Sequence, residues 1–252
     1  PIPPSLSVKS LARSETDFPV VNKEDLKSLL ISQDFDVVCL GDDAKKYVRL
    51  SEVQASTRDV LSHYKLLGKD DYAGYTAIGL QYEDENNPLY DANGQLFFIS
   101  PAGKVSQSRP VKLMTKVNEV GIRFKPLIDY LSSSFRVSRG RLLKAAPGFR
   151  MSSHRDGHFC GTVHYPIITN SRCRVEIDGR HYHLPADGRF YFINVDLPHS
   201  IANESNEDRL HITFPVTPLS FDRWTEEDVG TFAPFLKQLN LGEEHYRDRL
   251  KN

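Results

Sequence analysis

The sequence contains few of the features that mark specialised classes of protein. Its 252 residues include 3 cysteines and 1 tryptophan, and the formal net charge is -1 at pH 7. A chain with so little net charge has no overall field that would attract nucleic acid or an anionic membrane. We therefore expect neither of these partners.

Long apolar stretches and paired cysteines are also missing. No run approaches the roughly 18 apolar residues of a transmembrane helix, and residues 1–15 lack the apolar core of a signal peptide. Cys39, Cys160 and Cys173 are odd in number and follow neither a disulfide nor a zinc-ribbon spacing. These absences predict a reducing compartment, and we expect a cytoplasmic protein.

The second half of the sequence does carry a clear pattern of short β-type runs. Between residues 141 and 215 these runs are about five residues long and alternate with segments rich in Gly, Pro, Asn and Asp. Such spacing is typical of an antiparallel sandwich or jelly roll. The expected fold is mainly β with flanking helices, around a double-stranded β-helix (jelly-roll, cupin-like) core.

The remainder of the chain reads as mixed α and β. A strand is predicted at Phe35–Leu40, and a turn-rich loop at residues 84–94. Helical spacing occurs at residues 43–67, 124–135 and 224–239. The predicted parts are a mixed N-terminal part (1–135), the β core (136–217) and a C-terminal helical segment (218–252), packed as one compact domain.

A cluster of histidines indicates a metal site in the β core. Seven of the nine histidines lie between His154 and His211. His154 and Asp156 are two residues apart, so in an extended segment both side chains project from the same face. His199 follows at the end of a distant run, which a jelly roll can bring opposite to them. Two imidazoles and one carboxylate leave half of an octahedral shell open, as iron(II) oxygenases require.

Arg209 meets a second requirement of such an enzyme, a binding partner for the carboxylate of its co-substrate. It lies ten residues after His199 and opens the run RLHITF. A guanidinium binds a carboxylate through two hydrogen bonds and keeps its charge when buried, so it suits the distal carboxylate of 2-oxoglutarate. The alternative is an ion pair at the strand edge with Glu207 or Asp208.

Two other histidine patterns compete with this interpretation. His181 and His183 share one face of a strand, as ligands in small β-barrels do, but no matching carboxylate or later histidine accompanies them. Packing at the rim of the sheet is the favoured role for this pair. His158 is either a residue near the site or a surface residue, and the sequence leaves both open.

The motifs of residues 139–214 resemble the aspartyl/asparaginyl β-hydroxylase-like family, which includes bacterial cis-proline hydroxylases. The matching elements are, in order, RGRLLKAAPG from Arg139, His154-Arg-Asp156, VHYPIITN from Val163, the IDG turn at Ile177, FYFIN, PHSIAN from Pro198, and Arg209-Leu-His-Ile. The resemblance implies the iron ligands His154, Asp156 and His199, with Arg209 and His164 at the 2-oxoglutarate. One departure concerns position 162, where the family commonly has an arginine and this chain has Thr162.

The resemblance implies an Fe(II)/2-oxoglutarate-dependent dioxygenase that hydroxylates an unactivated C–H bond, with O2, Fe(II) and 2-oxoglutarate as cofactor and co-substrates. A free amino acid or an amino-acid-derived small molecule is the expected substrate. The alternatives are a peptidyl Asp/Asn β-hydroxylase, or a cupin-like metalloenzyme or sensor that does not use 2-oxoglutarate.

Two sets of residues are candidates for contacts with the substrate. A substrate carboxylate could be met by basic residues flanking the metal motif, namely Arg141, Lys144, Arg150 and Arg155. A pocket wall could be built from tyrosines of the N-terminal half, namely Tyr72, Tyr75, Tyr82 and Tyr90. Surface solvation is the favoured explanation for each basic residue, and ordinary packing explains the tyrosines as well as a pocket wall does.

Overall fold

The structure is a computed structural model. It describes residues 18–32, 34–68, 73–83, 85–90, 92, 97–99, 105–107, 114–156 and 161–217. The predictions for His158, for Tyr72, for the helix at 224–239 and for the segment 218–252 lie outside the described residues, as does part of the loop at 84–94.

Three α-helices and two 3-10 helices are present in the described residues. The α-helices are α1 (Lys23–Ser32), α2 (Leu50–His63) and α3 (Lys125–Ser132), and the 3-10 helices are Asp42–Lys46 and Gly121–Phe124. In α2 the buried residues Val53, Thr57 and Val60 are spaced by one helical turn, so one stripe of the helix faces the protein. The predicted helix at 124–135 is confirmed as α3. The predicted helical region at 43–67 is divided between a 3-10 helix and α2.

Sixteen strands are formed by the described residues, and most of them are short. The first nine are β1 (Val20–Val21), β2 (Val37–Leu40), β3 (Leu67–Gly68), β4 (Tyr75–Gly79), β5 (Gln81–Tyr82), β6 (Phe97–Ile99), β7 (Val105–Gln107), β8 (Lys116–Val117) and β9 (Arg136–Val137). The other seven are β10 (Arg141–Ala145), β11 (Gly161–Ile168), β12 (Cys173–Ile177), β13 (Arg180–Tyr182), β14 (Tyr191–Ile193), β15 (His199–Asn203) and β16 (Arg209–Thr217).

The larger sheet of the jelly roll contains strands from both halves of the chain. Its order is β1-β2-β14-β11-β16-β10-β4-β3, and β9 pairs with β16. β4 pairs with β10 along its whole length, and β2 pairs with β14. Strands of the predicted N-terminal part therefore continue the sheet of the predicted β core.

The smaller sheet faces the larger one and completes the jelly roll. It has the order β13-β12-β15, and the segment 149–154 extends it beyond β15 through backbone hydrogen bonds. Along the chain, β10, β11, β14 and β16 of the larger sheet are separated in turn by the segment 149–154, by the β12–β13 pair and by β15. This arrangement is the double-sheet jelly roll predicted from the sequence.

Alternation along the strands separates an outer face from an inner face of the larger sheet. On β16, Leu210, Ile212 and Phe214 belong to the apolar cluster that packs under the helices. The intervening residues Arg209, His211 and Thr213 are also buried, but they lie on the opposite, inner face. The space between the sheets is therefore apolar at its walls and polar along β16.

None of the helices in the described residues is both long enough and apolar enough to cross a bilayer.

Asn203 connects the end of β15 to the start of β16. Its side chain is fully buried, and its amide group donates to the carbonyls of Ala145, Ala146 and Glu207 over 2.9, 3.1 and 2.8 Å. Its Oδ1 accepts from the backbone N–H and the hydroxyl of Ser205. These hydrogen bonds hold the end of β15 and the turn before β16 against the end of β10.

We expect Asn203→Leu to lower the free energy of unfolding by about 3 kcal/mol or more, because several buried polar groups lose their partner together. Urea unfolding measures this change. The control is Ser200→Ala on the same strand, where a half-buried side chain should cost less than about 0.5 kcal/mol. Equal stability of the Asn203 variant and the control would contradict this role.

Candidate functional site

His154 and His199 are brought side by side by backbone pairing in the smaller sheet. The N–H of His154 donates to the carbonyl of His199 over 3.0 Å, and the reverse bond is 2.8 Å long. Their ring centroids are 4.3 Å apart. Asp156 follows on the same segment, with Oδ1 3.7 Å from Nε2 of His154. One potential ligand atom from each of the three residues lies within 4.8 Å of the others.

Both imidazoles are oriented by backbone carbonyls. Nδ1 of His154 lies 2.9 Å from the carbonyl oxygen of Ser152, and Nδ1 of His199 lies 3.0 Å from that of Leu197. A carbonyl can only accept, so each Nδ1 carries the hydrogen and each Nε2 keeps its lone pair for a metal ion. The backbone N–H of Asp156 donates to the carbonyl of Val195 over 2.8 Å, which holds the carboxylate near the pair.

Arg209 lies inside the jelly roll and not at a strand edge. Only 1% of its surface is exposed, and one guanidinium nitrogen lies 2.9 Å from Nδ1 of His211. Burial lowers the pKa of Arg209, although a guanidinium remains charged in proteins. Asp208, proposed above as an ion-pair partner, is instead 3.2 Å from Nζ of Lys144 at the surface.

His164 and His211 form a buried pair next to Arg209. Their Nδ1 atoms are 3.3 Å apart, and both residues are at least 97% buried, at 3% and 1% exposure. Burial is the main cause that lowers the pKa of each imidazole well below its usual value, and the positive charge of Arg209 acts in the same direction. Both imidazoles are therefore neutral near pH 7.

The neighbouring strands add Arg141 and Tyr75 to the inner face. In the sheet register, Arg141 of β10 and His164 of β11 flank Thr213 of β16. Tyr75 of β4 is paired with Ala145, which is paired in turn with Arg209. Tyr75 is buried and interacts electrostatically with Arg141, Arg209 and Asp156. Of the predicted tyrosines, Tyr75 thus lies at the site, stacked on Phe149 at a centroid distance of 4.9 Å.

The rival histidine pair does not belong to the His-Asp-His cluster found in the described residues. His181 is exposed on β13, and Nδ1 of His183 is 3.2 Å from the carbonyl oxygen of Cys173. The other basic candidates are engaged at the surface, where Arg150 pairs with Glu204 and Arg155 contacts the backbone carbonyl of Asp196.

Sequence reasoning assigned no role to His211 or Thr213. The alternation in RLHITF carried the signal, because it places Arg209, His211 and Thr213 on one face of the strand. The choice between the inner and the outer face required the partner sheet.

Comparison with known proteins agrees with these features. Residues 122–218 match the family model of aspartyl/asparaginyl beta-hydroxylase. No curated protein sequence matches the chain. For residues 122–218, the prediction of this family from the sequence motifs is therefore confirmed.

Among solved structures, the chain resembles a prolyl-4-hydroxylase from Pseudomonas putida at 10% identity and a TM-score of 0.48, covering 79% of this chain and 100% of that one. A prolyl hydroxylase from Trichoplax adhaerens, in complex with a hypoxia inducible factor peptide fragment, has 11% identity and a TM-score of 0.46, with 82% and 92% covered. A 2OG-Fe(II) oxygenase family protein from Burkholderia pseudomallei has 12% identity and a TM-score of 0.42, with 81% and 96% covered.

The depressed pKa of His211 predicts a pH dependence of stability. Below the ordinary pKa of 6.5, the unfolded chain binds a proton at this residue that the folded chain does not bind. The free energy of unfolding should therefore fall with falling pH, by about 1.4 kcal/mol per pH unit for each such histidine. Urea unfolding between about pH 7 and 5.5 measures the slope. His211→Gln should make it shallower, and an unchanged slope would contradict a neutral buried imidazole.

Proposed function

We propose, on the premise that residues 122–218 belong to the aspartyl/asparaginyl β-hydroxylase family, that the protein is an Fe(II)- and 2-oxoglutarate-dependent hydroxylase of a free amino acid or amino-acid-derived small molecule. The observation that carries this proposal is the combination of a His-Asp-His cluster with a buried guanidinium inside one jelly roll.

The donor set of the cluster fits iron(II). His154 and His199 would each bind through Nε2, because Nδ1 of each ring is held by a backbone carbonyl. Asp156 would bind through its carboxylate. Two imidazoles and one carboxylate without thiolates are the ligands of non-haem iron(II) oxygenases, and they leave coordination positions for an oxo-acid and oxygen. When bound, the iron supplies oxygen activation coupled to decarboxylation of 2-oxoglutarate to succinate.

The surroundings of Arg209 fit the distal carboxylate of 2-oxoglutarate. A buried charge is costly unless it is paired, yet the neighbour of this guanidinium is a neutral imidazole that accepts only one of its five N–H groups. A carboxylate would complete the pairing and would bind through two hydrogen bonds. Buried Tyr75, Ala145 and Phe149 would exclude water from this end of the site.

The substrate proposal is supported by the location of the basic candidates. Arg150 and Lys144 pair with surface acids, whereas Arg141 is buried on the inner face at the level of His164. An inward guanidinium suits a substrate that carries a carboxylate and is small enough to enter the jelly roll. Succinate release measured across free amino acids, amino-acid conjugates and Asp- or Asn-containing peptides tests this choice directly.

We expect His154→Ala, Asp156→Ala and His199→Ala each to abolish iron-dependent succinate formation, because each removes one of three ligands. Circular dichroism should show a retained fold. His181→Ala is the matched control, since this exposed histidine belongs to the rival pair, and it should keep wild-type turnover. Near wild-type turnover in any of the three variants would contradict the ligand assignment.

The Arg209→Gln variant distinguishes binding of the metal from binding of the co-substrate. The variant should bind iron(II) as the wild type does, while its affinity for 2-oxoglutarate falls by about a hundredfold, corresponding to about 2.7 kcal/mol for a lost charged pair. Titration calorimetry with each ligand measures both effects. Unchanged 2-oxoglutarate binding would contradict the role of Arg209, and unchanged metal-dependent turnover in this variant would favour a cupin-like metalloenzyme that does not use this co-substrate.

A further inference from the structure

Beyond the contact of Arg209 with its distal carboxylate, the residue predicted to contact 2-oxoglutarate is His164. Position 162, where the resembled family commonly has an arginine, is Thr162 on β11. This residue is paired in register with Pro215 on one side and Ile193 on the other. Thr162 cannot supply the charge of an arginine, but the neighbouring strands of the inner face carry further polar side chains.

Two buried polar atoms on β16 have no hydrogen-bond partner among the residues that the structure describes. They are Nε2 of His211 and Oγ1 of Thr213, and both residues are only 1% exposed. Buried polar groups are almost always hydrogen-bonded, so two orphans on one strand next to Arg209 point to a missing ligand.

The contact with Arg209 defines what His211 can offer. An arginine N–H can only donate, so Nδ1 of His211 is the acceptor in the 2.9 Å contact. A neutral imidazole with a free lone pair on Nδ1 carries its hydrogen on Nε2. Nε2 lies across the ring from Nδ1, so this donor is on the side of the ring remote from the guanidinium.

The spacing along β16 suits an elongated dicarboxylate. Arg209, His211 and Thr213 are alternate residues of one strand, and neighbouring members of this set are about 6.6 Å apart along the backbone. Thr213 is paired in register with His164 and Arg141. Polar side chains therefore extend along the inner face from the guanidinium of Arg209 to His164 and Arg141.

We propose that β16 supplies the co-substrate cradle: Arg209 binds one carboxylate of 2-oxoglutarate, while Nε2–H of His211 and the hydroxyl of Thr213 donate to oxygens of its oxo-acid end. This inference rests on the proposed function. His211 also acts as a positioning residue, because it accepts a hydrogen bond from Arg209 without cancelling its charge.

The test is binding of 2-oxoglutarate to the full chain loaded with Fe(II) under nitrogen, measured by titration calorimetry. Thr213→Val keeps the side-chain shape and removes one donor, and it should raise the dissociation constant about tenfold. His211→Leu removes both the donor and the acceptor for Arg209, and it should raise the constant about a hundredfold. His211→Gln retains an amide donor and should recover part of that loss.

Thr162→Val is the matched control, a buried threonine on the adjacent strand, and its binding should equal that of the wild type. Thermal unfolding checks that each variant is folded. Wild-type affinity in both Thr213→Val and His211→Leu, with weak binding in Arg209→Gln, would overturn this inference and leave the proposed function intact. Failure of the wild type to bind 2-oxoglutarate would overturn both.

Discussion

The reciprocal backbone hydrogen bonds between His154 and His199 are the contact on which the site depends. They attach the segment 149–154 to the edge of the smaller sheet and join two parts of the chain that are 45 residues apart in sequence. Antiparallel pairing fixes which residues lie opposite each other, so the backbone itself places the two imidazoles side by side. Asp156 follows two residues after His154 and is held near the pair by its own backbone hydrogen bond to Val195.

A second constraint is the burial of Arg209 among neutral neighbours. A guanidinium paired with an internal acid would be satisfied and inert, whereas one held by the imidazole of His211 keeps its full charge and most of its donors. The folded protein without a ligand therefore carries an electrostatic cost at this position. Binding of a dicarboxylate would remove that cost, so the same feature that weakens the unliganded fold provides affinity.

Much of the fold and of the site could be predicted from the sequence. The jelly roll followed from short β-type runs at regular spacing, and α3 followed from its apolar periodicity. The grouping of His154, Asp156 and His199 in space agrees with the predicted metal site, whose ligand roles remain proposals. The sequence did not reveal that β2 and β4 continue the larger sheet, because pairing between distant strands depends on contacts that no local pattern encodes.

The amino-acid sequence by itself determined the identities and spacings of the chemical groups: HxD, a distant histidine, an arginine ten residues later, and alternating residues along β16. Tertiary structure alone decided which of these groups face each other. Alternation defines two faces of a strand but does not say which is internal, and that choice is made when the second sheet covers one face. For this reason, only the arrangement of the two sheets identified His211 and Thr213 as candidates for the site. The same arrangement distinguished the buried Arg141 from the basic residues on the surface.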